Sequence, residues 1–194
     1  NSKKIKNSKS KLSNKMVKLV FATQYTKPYL YNKIYNYNFY LVKKLCQIAS
    51  NNKELELIIK LHPQDFKNKK RYVKLVNSNF KGESIRIVSD GRNLNSYIAE
   101  SDIFIFQDST SGLEGILQNK KLIYLDLNDS LFRLPYSTSN VEIVHNLNNL
   151  DSVIKELILK PNIVDKINNQ FIDEFCLEAG DKSTNLIIEE LLKI

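Results

Sequence analysis

The 194-residue sequence has only two cysteines, and no apolar run approaches the roughly 18 residues that can span a bilayer. Cys46 and Cys176 lie in separate helical patterns, which excludes a disulfide framework and a cysteine metal site. We expect both to be reduced core residues of a cytoplasmic protein. Polar residues follow the Lys-rich start, so no signal peptide is indicated. Because the chain begins with Asn1 rather than Met, we expect it to be part of a longer protein.

Acidic residues are missing from residues 1–18, which contain seven lysines. Those lysines leave only +1 of the formal net charge of +8 for the rest of the chain, which argues against a nucleic-acid partner. A like-charged polar run cannot bury apolar area, so the sequence predicts a basic linker or disordered tail at 1–17 and one domain at 18–194. Peripheral attraction of the tail to the inner face of an anionic membrane is the alternative.

Several motifs that carry chemistry are also lacking. The sequence has neither the Gly-x-Gly-x-x-Gly fingerprint nor the Walker pattern, so a dinucleotide site and a P-loop are not indicated. No carboxylate pair, Cys/His cluster or catalytic triad stands out. We therefore expect no metal and no cofactor, and the sequence identifies no catalytic residue.

Short apolar runs alternate with helical patterns. The predicted strands are 18–24, 55–61, 85–88, 102–107, 122–127 and 141–144. A loop is predicted at 25–32, and helices are predicted at 35–50, 67–78, 93–101, 110–118, 148–159, 162–178 and 182–194. This order predicts an α/β, Rossmann-like, mostly parallel sheet with helices on both faces. Ligands of such sheets bind outside the carboxyl ends of the strands.

One unusual strand end is Lys60-Leu61-His62-Pro63. Pro63 cannot donate to a sheet ladder and holds the preceding residue in an extended conformation, so the imidazole of His62 should project from the sheet edge. A histidine there can donate a hydrogen bond to phosphate and carry part of a positive charge. A histidine that merely caps the strand end is the alternative.

The other unusual strand end runs from Gln107 to Gly115, with the sequence Gln-Asp-Ser-Thr-Ser-Gly-Leu-Glu-Gly. Serine and threonine are preferred helix N-caps, and the N–H groups of the first turn together with the helix dipole can bind a phosphate. Gly112 removes a side chain where a ligand could approach, and Glu114 could accept hydrogen bonds from a ribose or close a capping box. An ordinary well-capped helix is the alternative.

Three further features are weaker candidates. Asp90 and Asn93 follow the third strand and could contact a nucleotide base, although turn chemistry explains both equally well. His145 ends the sixth strand, where a structural or loop-facing role is expected. An aromatic cluster is predicted to pack against a partner domain rather than against single-stranded RNA, and it comprises Tyr25, Tyr29, Tyr31, Tyr35, Tyr37 and Tyr40.

The two strand-end motifs together resemble the His-Pro and Ser/Ser motifs of GT-B capsule-type transferases. This group includes bacterial polysialyltransferases, capsule Kdo transferases and CDP-glycerol glycerophosphotransferases. Residues 119–123 are similar to the helix exit of that group, with Lys121 where proline is usual. Residues 180–183 are similar to the stretch that opens its last helix. The resemblance covers residues 18–194.

The resemblance implies the C-terminal, donor-binding half of a GT-B enzyme of surface-polysaccharide synthesis, with a CMP-, CDP- or UDP-activated sugar or alditol as donor. It implies that the donor is bound by His62, Ser109, Thr110 and Ser111 and that Glu114 contacts the ribose. Lys60, which precedes the His-Pro pair, is a further candidate for donor or nucleotide binding. The catalytic base of such enzymes commonly lies in an N-terminal, acceptor-binding domain. The domain alone is therefore expected to bind donor without turnover. A sugar-nucleotide epimerase and a non-catalytic binding module remain alternatives, since the fold hosts all three.

Overall fold

The computed structural model describes residues 16–24, 31–80, 84–107, 109–127, 136, 139–161 and 166–175. The strands are β1 (Val17–Ala22), β2 (Leu55–Lys60), β3 (Ile85–Val88), β4 (Ile103–Phe106), β5 (Lys121–Leu125) and β6 (Val141–Val144). The helices are α1 (Tyr31–Ser50), α2 (Lys69–Asn79), α3 (Leu94–Glu100), α4 (Ser111–Leu117), α5 (Leu150–Leu159) and α6 (Lys166–Phe175). Among the described residues, Pro63–Asn68 and Leu147–Asn149 form short 3₁₀ segments.

The six strands form one sheet in the order β3-β2-β1-β4-β5-β6, and every neighbouring pair is parallel. This is the doubly wound order in which the direction of strand addition reverses between β1 and β4. The predicted α/β, Rossmann-like parallel sheet is confirmed. The reversal leaves a crevice at the carboxyl ends of β1 and β4, where ligands of this architecture bind.

Two hydrophobic cores cover the faces of the sheet. Leu19 and Phe21 of β1 pack with α1, α2 and α5, whereas Val20 packs with α3, α4 and α6. Successive side chains of a strand point to opposite faces, so a strand buried on both sides must be apolar throughout. β4 shows this directly, because its four residues Ile-Phe-Ile-Phe are all buried. Helices on both faces are therefore confirmed.

Some element boundaries differ from the predictions. α1 begins at Tyr31, inside the stretch that the sequence predicted as a loop. The helix predicted at 67–78 is preceded by a 3₁₀ segment, because Pro63 provides a preset backbone angle for a first turn that His62 caps. The helix predicted at 182–194 lies outside the described residues.

The exit of α4 explains how the chain accommodates Lys121 where the resembling enzymes have proline. Asn119 has a φ of 51°, a left-handed conformation that asparagine tolerates well and that ends a helix. Lys121 then starts β5, and its Nζ donates to the carbonyl oxygen of Leu157 at 2.7 Å. A lysine at a helix C-terminus satisfies an unpaired carbonyl. Lys121 thus ties β5 to the end of α5.

Two further predictions concern cysteine and tyrosine side chains. Cys46 is fully buried in α1, so its predicted core position is confirmed, and this burial raises the pKa of its thiol to about 12. Cys176 lies outside the described residues. On α1, Tyr37 packs against the core and Tyr40 is exposed. The predicted aromatic surface stays a prediction, since the side chains of its other members are not among those described.

Within the described part of the chain, no helix has the length and apolarity that crossing a bilayer requires.

Candidate functional site

Hydrogen bonds connect the carboxyl ends of β2, β1 and β4 across the crevice. The backbone N–H of His62, after β2, donates to Oγ1 of Thr23, after β1, at 2.8 Å. Asn38 of α1 donates from Nδ2 to the carbonyl oxygen of Gln24 at 3.2 Å. Gln107, directly after β4, donates from Nε2 to Oδ1 of Asn38 at 3.0 Å. We call these five residues the switch-point network.

Three members of the switch-point network are almost completely excluded from water, whereas Gln24 and His62 are partly exposed. The side chain of Asn38 is fully buried on the apolar face of α1, and Thr23 and Gln107 are nearly so. Buried polar groups are costly unless they are hydrogen-bonded, so these bonds fix the three strand ends relative to one another. Sequence reasoning missed Thr23, Asn38 and Gln107 as site residues. The one available signal was a polar residue within an otherwise apolar pattern.

The imidazole of His62 is held in one orientation. Its backbone is extended, with φ −60° and ψ 142°, as expected before proline. Nδ1 accepts the N–H of Gln64 at 3.3 Å, so the neutral ring carries its proton on Nε2. Burial lowers the pKa of His62, although nearby Asp65 opposes this shift. When neutral, the ring donates from Nε2, and the lowered pKa reduces the positive charge that the sequence predicted for it.

Lys60 is engaged by the turn after β3. Its Nζ donates to the carbonyl oxygen of Asp90 at 2.8 Å and to Oδ1 of that residue at 3.0 Å, and its side chain is only 8% exposed. The hydroxyl of Tyr97 donates to the other carboxylate oxygen of Asp90 at 2.6 Å. These bonds, Tyr97 first and Lys60 second, lower the pKa of Asp90. The rings of Phe66 and Tyr97 also flank the Lys60 ammonium.

This arrangement bears on three predicted contacts. Lys60 was predicted to bind the donor and Asp90 to contact the nucleotide base. The two residues contact each other and connect the ends of β2 and β3. Asn93 is exposed and caps α3, because its Oδ1 accepts the N–H of Asn95 at 3.2 Å. All three side chains lie at the carboxyl edge of the sheet, and each makes hydrogen bonds within the protein there. Their roles toward a ligand stay predictions.

The turn between β4 and α4 is organised by Ser109. Its Oγ accepts both the backbone N–H and the Oγ–H of Ser111, at 3.2 and 2.9 Å. The carbonyl oxygens of Ser109 and Thr110 accept the N–H groups of Gly112 and Leu113. The N–H groups of 111–113, which sequence reasoning reserved for a phosphate, therefore bond within the turn. Ser109 thus binds the N–H of the first residue of α4, while Thr110 at the N-cap position makes no side-chain capping bond and Ser111 is buried.

Two side chains of this region face outward. Thr110 is exposed at the start of α4, and Glu114 follows one helical turn later, partly buried. Burial raises the pKa of Glu114, which is consistent with a carboxyl group beside apolar surface. The turn therefore offers a hydroxyl and a carboxyl group on one side of a short helix. Asp108, the residue before Ser109, lies outside the described residues.

Gly112 has a different role from the one expected. A Cβ at this position would lie 2.4 Å from Oη of Tyr136 and 2.5 Å from the ring of Phe106. The missing side chain makes room for these two aromatic rings, not for a ligand, so the earlier interpretation is wrong. The hydroxyl of Tyr136 also donates to the carbonyl oxygen of Ser109 at 2.9 Å. The aromatic core thereby positions the Ser109 turn.

A second histidine occupies the same edge of the sheet. His145 follows β6, and its Nδ1 lies 3.2 Å from both Oδ2 and the carbonyl oxygen of Asp126, the residue after β5. The side chain of His145 is 63% exposed, whereas that of Asp126 is 4% exposed. Sequence reasoning gave His145 a structural or loop-facing role and did not single out Asp126. Their pairing depends on the adjacency of β5 and β6.

Among the residues that the structure describes, no group of three or more His, Cys, Asp or Glu side chains is arranged to hold a metal ion.

The sequence of this chain matches one family of known proteins. Residues 34–128, just under half of the chain, match a family described as "Capsule polysaccharide biosynthesis protein". A sequence comparison with curated proteins finds no match. The matched segment runs from α1 through β5 and contains both strand-end motifs.

Solved structures resemble the whole described domain. UDP-GlcNAc 2-epimerase from Neisseria meningitidis, bound to UDP-GlcNAc, superimposes with a TM-score of 0.61 at 16% identity over 93% of this chain and 46% of that one. The 2-epimerase from Methanocaldococcus jannaschii gives 0.57 at 14% identity over 94% and 47%. The spinosyn rhamnosyltransferase SpnG, complexed with spinosyn aglycone, gives 0.58 at 9% identity over 91% and 46%.

The domain has a GT-B glycosyltransferase-like fold. At these identities the likeness concerns the fold alone, because one architecture hosts several activities. The chain spans less than half the length of each of these three structures.

Proposed function

We propose that this domain binds the nucleotide-activated donor of a glycosyltransferase or glycerophosphotransferase that builds a surface polysaccharide. The observation that carries the proposal is the switch-point network, which connects the His62 strand end to Gln107, two residues before Ser109. The crevice at this point of a doubly wound sheet is where such folds bind ligands. The match of residues 34–128 to a capsule biosynthesis family supports the same function.

In this proposal each motif has a defined partner on the donor. The neutral His62 ring donates its Nε2–H to a phosphate oxygen, and hydroxyls of the Ser109–Ser111 turn bind the diphosphate or ribose. Glu114 accepts hydrogen bonds from ribose hydroxyls. The turn after β3, which Lys60 anchors, contacts the nucleotide base through Asp90 and Asn93. Hydrogen-bond donors at the strand and helix ends would stabilise the departing phosphate.

Transfer itself requires a group that activates the acceptor hydroxyl, and we assign that group to an acceptor-binding domain elsewhere in the full protein. The donor is a CMP-, CDP- or UDP-linked sugar or alditol, and we place the reaction on the cytoplasmic side of the membrane. A sugar-nucleotide epimerase is the second candidate, because two 2-epimerases share the fold, one of them bound to UDP-GlcNAc. Epimerisation of UDP-GlcNAc by the full protein without an acceptor would favour it.

The first test is nucleotide binding by the domain. Titration with CMP, CDP, UMP and UDP, followed by calorimetry or NMR, should give a saturable response with a Kd of about 1 μM to 1 mM, since half a cleft leaves the donor partly solvated. No saturable response to any of the four nucleotides at millimolar concentration would contradict the proposal.

Two substitutions at His62 separate its two roles. His62→Asn keeps an N-cap acceptor for the Gln64 N–H and removes the Nε2 donor, so we expect the melting temperature to hold while nucleotide affinity falls by about 1.5–3 kcal/mol. His62→Ala should lose that affinity and also about 0.5–2 kcal/mol of stability through the lost cap. If His62→Asn binds nucleotide like the parent, His62 only caps the turn.

A further inference from the structure

The two histidines of the chain lie at the same carboxyl edge of the sheet, and their hydrogen-bond partners indicate opposite tautomers of the neutral rings. Nδ1 of His62 accepts a backbone N–H, so the neutral ring carries its proton on Nε2. Nδ1 of His145 lies 3.2 Å from the carbonyl oxygen of Asp126, which can only accept, so Nδ1 carries the proton there. Nε2 of neutral His145 is then an acceptor. One ring suits a phosphate oxygen and the other suits a hydroxyl group.

Asp126 fixes the orientation of His145. The carboxylate of Asp126 is nearly buried, and both its Oδ2 and the Asp126 carbonyl oxygen lie 3.2 Å from Nδ1 of His145. Two acceptors therefore hold one N–H. A carboxylate that orients an imidazole through Nδ1 makes the opposite nitrogen a better acceptor. The side chain of His145 is 63% exposed. A ligand lying along the sheet edge can therefore approach this ring.

The strand register locates this pair relative to the Ser109 turn. Phe106 pairs with Tyr124 and Leu125 pairs with Val144, so the chain segments that continue β4, β5 and β6 emerge side by side. Adjacent strands are about 4.8 Å apart, which puts His145 roughly 10 Å from the end of β4. A group attached to a phosphate held at β4 lies within that range. The His62 and Asp90 side of the edge is in the opposite direction.

We infer that His145, oriented by Asp126, binds a hydroxyl group of the sugar or alditol that the donor carries. This inference rests on the proposed function and adds the subsite for the transferred group. His62 recognises the phosphate that all activated donors share. His145 recognises the part that differs between a donor and its free nucleotide.

The experiment compares each donor with its nucleotide on the same protein. UDP-GlcNAc is titrated against UDP, and CDP-glycerol against CDP, using the parent chain, His145→Ala, His145→Gln and His62→Asn. We expect His145→Ala to weaken donor binding roughly three- to tenfold, the effect of one hydrogen bond, and to leave nucleotide binding unchanged. His145→Gln, whose amide oxygen can accept, should recover part of that loss. His62→Asn should weaken donor and nucleotide by the same factor.

The outcomes separate the two proposals. If nucleotides bind but His145→Ala leaves the ratio of donor to nucleotide affinity as in the parent, the subsite is wrong and the donor-binding function stands. A hydroxyl of the acceptor rather than of the donor would give this result. If the parent binds neither these four compounds nor CMP or UMP, the proposed function fails and the subsite fails with it. Melting temperatures of all variants confirm that the exposed His145 can be replaced without unfolding.

Discussion

At the scale of single residues, the side chains at this edge hold the fold and could also hold a ligand. His62 caps the turn through Nδ1, and Oγ of Ser109 accepts the N–H of Ser111, the first residue of α4. Lys60 shows the cost of such a position, since an almost buried ammonium group is stable only while its partners remain in place. Its carboxylate partner Asp90 is half exposed, so the two members of this ion pair are not equivalent.

We therefore predict an asymmetry between the two members. Lys60→Met removes the buried charge, keeps much of the apolar volume and leaves an Asp90 that water can solvate. Asp90→Ala leaves the buried ammonium with fewer partners, which is the more costly defect. Urea unfolding should give Asp90→Ala the lower midpoint of the two, with unchanged slopes. Equal midpoints would show that the bond to the Asp90 backbone carbonyl and the flanking aromatic rings suffice for Lys60.

The strand-end motifs were visible in the sequence because each is a short, local pattern. The partners of those motifs were not visible. Gln107 and Asn38 are 69 residues apart, and His145 and Asp126 are 19 apart across two different strands. A polar residue within an apolar run signals only that some partner exists. Which residue is the partner depends on strand order and register. The alternating pattern predicts a parallel sheet but neither the order nor the register of its strands.

At the scale of elements, the strands followed their apolar runs closely, and both β3 and β6 have the predicted bounds. The start of α1 was missed because the sequence before it reads as a loop and offers no clear capping signal. The packing of α4 was also misread. Gly112 was interpreted as a site of ligand approach. Its packing role could be recognised only from the positions of Phe106 and Tyr136, which lie outside α4.

Replacing this glycine tests the corrected role. Alanine favours helices over glycine by about 1 kcal/mol, so an unobstructed Gly112→Ala would stabilise the domain. The new Cβ instead overlaps Tyr136 and Phe106, and we expect a loss of about 1–3 kcal/mol in thermal or urea unfolding. Gly91→Ala is the matched control, since nothing lies within 4 Å of its Cβ, and it should be neutral or slightly stabilising. A Gly112→Ala domain of normal stability but weakened nucleotide binding would restore the ligand interpretation.

At the scale of the whole molecule, composition predicted a sharp division between a basic start and a nearly neutral domain. The fold could be predicted from the alternation of strands and helices, because a sheet buried on both faces leaves a clear apolar signal. The activity could not be predicted in the same way. Transferases and epimerases share this architecture, so only the chemistry of the sheet edge can separate them.

The division itself can be tested by removing residues 1–14, which contain five lysines and no acidic residue. A polar, like-charged run buries little apolar area, so the melting temperature should change by less than about 2 °C, or roughly 1 kcal/mol. Nucleotide affinity should also hold at physiological salt, where charges more than about 8 Å away are largely screened. A larger drop in melting temperature would mean that the segment packs on the domain. Binding of the full and shortened chains to phosphatidylserine vesicles decides between a linker and a membrane-binding arm. Each lysine near the surface contributes about 1 kcal/mol of attraction. Only a membrane-binding arm therefore makes vesicle binding depend on residues 1–14.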